Sequence, residues 1–148
     1  IDCVSKGGNL LLNVGPTGRG EFDNRAKERL EYFGEWIKRH GRSIYNCTQA
    51  PSEFKCPEGC KLTFNPDPNR LYVHILSWPY KTVFMEGQAY FDKVEYAQFL
   101  HDASEVSMKG LEEWQMHHAP DSEKLFALTL PQKKPDVAIP VVEIFLKK

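Results

Sequence analysis

Cys56 and Cys60, with Pro57-Glu58-Gly59 between them, present two thiols at a spacing that suits half of a zinc site or a small disulfide loop. Zinc takes four ligands, commonly with a second Cys or His pair at short spacing. The adjacent His117-His118 matches that poorly, so no metal is assigned, and free thiols or a Cys56–Cys60 bridge at a hairpin are the readings kept. Cys47 is a further partner for Cys56 if their Cα atoms come within about 7 Å. His74 lies inside an apolar run and suits a core or interface histidine, while His101, His117 and His118 have no Ser or Cys nucleophile at a recognised spacing. Gly15-Pro16-Thr17-Gly18-Arg19-Gly20 has the glycines of a phosphate-cradling loop but lacks the Gly-Lys-Ser/Thr ending. Asn46-Cys47-Thr48 meets the rule for N-glycosylation, which matters only for a secretory protein. Trp78, Tyr80, Tyr90, Phe91 and Trp114 supply flat apolar rings with polar tips, suited to stacking on sugars or to filling a core. Trp78 and Tyr80, in a strand connection, are the sugar-stacking candidates.

The elements that must position these groups are bounded by composition. Of 148 residues, 41% are hydrophobic and 26% charged, which places the chain among globular proteins rather than disordered ones. A formal net charge of -1 provides no field to draw nucleic acid or an anionic membrane, and neither is expected as a partner. No apolar run approaches the ~20 residues of a spanning helix. The opening Ile1-Asp2-Cys3-Val4-Ser5-Lys6 has neither an initiator Met nor the layout of a secretory signal, so the chain reads as a piece of something longer. Cytoplasmic and secreted origins both stay open.

Patterning changes near Pro51. Upstream, Leu10-Leu11-Leu12-Asn13-Val14 is short and apolar enough for a strand buried on both faces. The Gly15–Gly20 stretch follows as a loop. Asp23 caps a helix running to His40, whose Ala26, Leu30, Phe33 and Ile37 share one face. Arg39-His40 suit the negative end of its dipole, and Gly41 is expected to stop it in the left-handed conformation. Strand, loop and helix make a β/α unit. Downstream, Lys61–Phe64, Leu71–Leu76, Thr82–Met85, Lys124–Leu130 and Val141–Leu146 read as strands, with Asn65-Pro66-Asp67-Pro68-Asn69 as a turn. Val94, Tyr96 and Val106 suggest further strands. Short strands at such intervals predict a β-sandwich.

Ser5-Lys6-Gly7-Gly8-Asn9-Leu10-Leu11-Leu12-Asn13-Val14-Gly15-Pro16-Thr17, followed by Arg29-Leu30, Gly34-Glu35-Trp36 and Gly41-Arg42-Ser43-Ile44-Tyr45, resembles the end of the catalytic barrel in α-L-fucosidases. The resemblance is close over roughly the first 45 residues and rests on strand pattern and position thereafter. It implies an α/β fragment plus an all-β part. Residues 1–50 would be the last β/α unit of a (β/α)8 barrel and residues 51–148 a C-terminal antiparallel β-sandwich. It also implies retaining hydrolysis of α-L-fucosyl linkages without cofactor or metal, by an Asp nucleophile and a second carboxylic acid that lie upstream of this chain. Asp2, Glu21 and Asp23 read instead as a helix residue, a loop residue and a cap. No catalytic residue is therefore expected within residues 1–148. The loop at the C-terminal end of a barrel strand faces the active site, which makes Asn13, Gly15, Pro16 and Thr17 rim candidates. The implied partners are a fucosylated glycan, the missing N-terminal barrel portion and a second copy of the chain. A non-catalytic carbohydrate-binding module and a purely structural buttress are the rival functions for the sandwich.

Overall fold

Residues 1–110 and 125–147 are described in the computed structural model of this chain. His117, His118, Trp114 and Lys124 lie outside the described residues. Short helix α1 (Asp2–Ser5) is followed by α2 (Asn24–His40), a 3-10 turn (Gly41–Ser43) and strands β1 (Thr48–Gln49), β2 (Cys60–Asn65), β3 (Arg70–Ile75) and β4 (Thr82–Glu86). Helix α3 (Gln88–Lys93) then leads to β5 (Val94–Phe99), β6 (Ser107–Gly110), β7 (Leu125–Thr129) and β8 (Val141–Leu146). The strands form a five-stranded sheet in the order β1-β2-β3-β8-β5 and a three-stranded sheet in the order β4-β7-β6. All strand pairs described are antiparallel.

The two sheets share one core. Leu71, Val73 and Ile144 of the first sheet and Met85, Phe126 and Leu128 of the second belong to a single buried cluster. Alternation explains which residues enter it, because successive strand side chains point to opposite faces. In β4, Val83 and Met85 are buried while Phe84 and Glu86 are exposed, so one face of the smaller sheet meets water. In contrast, β3 is buried from Leu71 to Ile75, because α2 and the 3-10 turn cover part of the other face of the larger sheet. Prolines end β2 as expected: Asn65 pairs with Arg70 across a turn closed by the Asn69 N–H donating to Pro66 O, with Asn69 at φ 54°.

Asp23 caps α2, its side chain accepting from the Ala26 N–H at 2.7 Å. Two expectations are corrected. Leu10 to Val14 form no strand: the segment is irregular, and Leu10, Leu11 and Leu12 are 69%, 86% and 52% exposed. The physical reason is that a strand exists only through a ladder with a neighbour, and none of the described strands pairs with this segment. Gly41 does not stop α2 in the left-handed conformation; it sits at φ -55° and carries the chain on into the 3-10 turn. The glycine is used for closeness, since an added Cβ would come within 3.0 Å of the Tyr45 ring.

Candidate functional site

Thr17 folds its loop back on itself. Its N–H donates to Glu21 O at 2.7 Å, its carbonyl accepts from the Gly20 N–H at 2.9 Å, and its hydroxyl accepts from the Glu21 N–H at 3.3 Å. Asn13, Gly15, Pro16 and Thr17 are all exposed on one stretch beside the exposed leucines. The structure therefore holds the rim candidates together along the chain and brings no other described element against them.

The aromatic pair separates. Trp78 is half-buried, packs against the main core and stacks near Phe99 with ring centroids 6.4 Å apart. Tyr80 is 71% exposed; its hydroxyl accepts from the Gln132 amide at 3.4 Å, and Lys81 Nζ lies 5.3 Å from its ring centroid. One ring thus serves the core and the other faces water, so they make no two-ring platform. The cysteines are unbridged. Cys56 Sγ donates to Cys60 O at 3.3 Å. Burial raises the Cys60 thiol to about 12 and the Cys47 thiol to about 11, which keeps both protonated near neutrality. Among the described residues no three His, Cys, Asp or Glu side chains are arranged to hold a metal ion.

The chemistry-bearing groups that do converge lie where the end of α2 meets the outer face of the larger sheet. Trp36 Nε1 donates to Ile139 O at 3.1 Å, and its ring stacks on His40 with centroids 4.8 Å apart. His40 Nδ1 is 3.1 Å from Trp36 O; a carbonyl only accepts, so Nδ1 carries the proton and the buried Nε2 is left without a partner. Thr63 donates to Ser43 O at 2.7 Å, and its single hydroxyl proton is thereby used. His74 Nε2, 2.9 Å from that hydroxyl, must be the donor in their contact. Burial lowers the His74 imidazole to about 3 and also lowers His40. Both rings are therefore neutral packing groups near neutrality, as the apolar run around His74 suggests.

Beside this lies a residue that patterning passed over. Glu143 interrupts the apolar run Val141–Leu146 and is only 4% exposed. Its carboxyl oxygens accept from Gln98 Nε2 at 2.8 Å and from the Tyr72 hydroxyl at 3.3 Å, and Arg42 Nη2 lies 3.6 Å away. Register explains the grouping: Thr63, Tyr72, Glu143 and Gln98 stand opposite one another across β2, β3, β8 and β5. Burial, followed by the Glu143 charge, raises the Tyr72 hydroxyl and keeps it a donor. A charged residue in a strand otherwise apolar was the signal available in the sequence.

Comparison with known proteins bears on the whole chain. The model of the family described as Alpha-L-fucosidase matches residues 1–42. The plasma alpha-L-fucosidase of Pongo abelii is 34% identical over 90 residues, covering 60% of this chain and 19% of that protein. Alpha-L-fucosidase isoenzyme 1 from Paenibacillus thiaminolyticus superposes with a TM-score of 0.81 at 30% identity, over 99% of this chain and 32% of its own. The alpha-fucosidase of Thermotoga maritima, solved in complex with a mechanism based inhibitor, gives 0.73 at 30% identity over 97% of this chain and 32% of its own. The chain thus spans about a fifth of the first relative and a third of these structures.

Proposed function

We propose that this chain, which matches the Alpha-L-fucosidase model over residues 1–42 and superposes on solved α-L-fucosidases, belongs to a protein that hydrolyses terminal α-L-fucosyl linkages of glycans, and that this portion is its non-catalytic support. In this reading residues 1–50 complete the catalytic (β/α)8 barrel and residues 51–148 are a C-terminal β-sandwich. The observation that carries it is a coincidence. The family match covers residues 1–42, and the same stretch exposes Leu10, Leu11 and Leu12, apolar side chains suited to a neighbour of that family's barrel. The superposition over 99% of the chain supports extending the assignment through the two sheets.

Retention requires two carboxyl groups about 5–5.5 Å apart, one attacking the anomeric carbon and the other protonating the leaving oxygen. Both come from the remainder of the protein. The chain's contribution is the loop of Asn13, Gly15, Pro16 and Thr17 at the active-site rim, and the α2–sheet contact that braces the barrel. The mechanism runs without metal or organic cofactor. Incubating pure residues 1–148 with an aryl α-L-fucoside is expected to release no fucose. A protein with the preceding barrel restored is expected to release α-L-fucose as the first anomer. Turnover by residues 1–148 alone, or β-L-fucose as first product, overturns the proposal.

A further inference from the structure

A pocket of about 390 Å³ opens beside Glu143, between the Arg42–Asn46 segment and the outer face of the larger sheet. That lies within the ~300–1,000 Å³ typical of small-molecule sites. We propose that it is a binding site for a neutral saccharide unit, with Glu143, Arg42 and Gln98 taking its hydroxyls and Tyr45 taking the face of its ring.

The charges select the ligand class. Arg42 is paired with Glu143 at 3.6 Å. Arg70 lies over the Phe145 ring, 3.7 Å from its centroid, and donates to Asn69 O at 3.3 Å. Glu143 offsets the Arg42 charge, so no spare carboxylate is left for a cation, and the one remaining positive charge, on Arg70, is held against the Phe145 ring and the Asn69 carbonyl. What remains is a mixture of acceptors and donors. Each Glu143 oxygen accepts one hydrogen bond and keeps a free lone pair, and Arg42, 65% exposed, has donors to spare. Asn65 Oδ1, also of the pocket lining, is buried without a partner. A hydroxyl both donates and accepts, so neighbouring hydroxyls of one sugar can donate to the carboxylate and accept from the guanidinium. Tyr45 adds a ring that is 61% exposed and held in place by its contact over Gly41. An aromatic body with a polar tip suits the apolar face of a pyranose.

The site is tested by following backbone amides of labelled residues 1–148 by NMR while adding methyl α-L-fucopyranoside, methyl β-D-galactopyranoside or sodium acetate. Saturable shifts at Arg42, Tyr45, Asn46 and Gln98 with at least one glycoside are expected. Tyr45→Ala, which alters an exposed ring and leaves the fold intact, should weaken that binding at least about tenfold, a loss of roughly 1.4 kcal/mol. Arg42→Gln should weaken it likewise. Absence of saturable shifts with both glycosides, equal affinity in Tyr45→Ala, shifts centred on Tyr80 instead, or saturation by acetate alone each overturn the proposal. The measurement reads binding rather than turnover, so its outcome is independent of the fucosidase reading.

Discussion

Thr63 is fully buried and joins three parts of the chain through one hydroxyl: its own strand, the 3-10 turn through Ser43 O, and β3 through His74. Thr63→Val keeps the shape and removes the hydroxyl, leaving a carbonyl and an imidazole N–H unpaired in the interior. A buried group left without its partner costs about 1–3 kcal/mol, so the variant should lose roughly 2–4 kcal/mol in urea unfolding. Thr63→Ser, which restores the oxygen, should recover most of it. A loss below about 0.5 kcal/mol, the range of ordinary surface substitutions, would show that the hydroxyl does not hold the turn to the sheet.

At the scale of elements, the contact between α2 and the larger sheet is an acid-sensitive joint. His40 and His74 face Trp36, Thr63, Ser43 and the His101 ring, whose centroid is 6.2 Å from that of His40; Asp102 lies 3.4 Å from His101, and Arg39 adds positive charge near His40. Burial depresses both imidazoles in the folded state, so the unfolded chain binds protons first as pH falls. The stability they contribute is complete above the ordinary histidine value of 6.5, and for His74 it is lost progressively from there toward about 3. His40 adds in the same direction. Between pH 7 and pH 5 the His74 contribution alone amounts to about 2 kcal/mol. Urea unfolding of the parent chain and of His74→Leu across this range should give a visibly shallower pH slope for the variant. Parallel slopes would mean that His74 takes up its proton without unfolding.

For the whole molecule, cohesion is uneven. The two sheets close a common core, while the segment from Gly8 to Phe22 contributes no buried side chain. Each fully exposed Leu forgoes about 1.5–3 kcal/mol of burial, a large share of the ~5–15 kcal/mol that holds a domain together. Ordering the segment Leu10 to Val14 therefore requires a neighbour that covers these leucines. In a proven monomer, hydrogen exchange at Leu10 to Val14 should be fast, whereas amides of Leu71 to Ile75, inside the five-stranded sheet, should be strongly protected. Equal protection of the two segments would refute this division.

Local chemistry was legible without the fold wherever a residue acts on its own neighbourhood. Asp23 caps α2 because its side chain needs only the N–H three residues on, and the Pro66–Asn69 turn closes because prolines end strands wherever they stand. The core alternation of β2, β3, β4, β7 and β8 could be read for the same reason: the two-residue period is carried by the backbone. Partnership was not legible. Whether Leu10 to Val14 is a strand depends on hydrogen bonds to another segment, whether Gly41 is left-handed or merely close depends on where Tyr45 lies, and Trp78 and Tyr80, two residues apart, part company because one meets Phe99 and the other water. The group around Glu143 is the extreme case. Its members come from residues 42, 72, 98 and 143, and only the antiparallel register of β3, β8 and β5, with the turn after α2 folded across them, sets Arg42, Tyr72, Gln98 and Glu143 side by side.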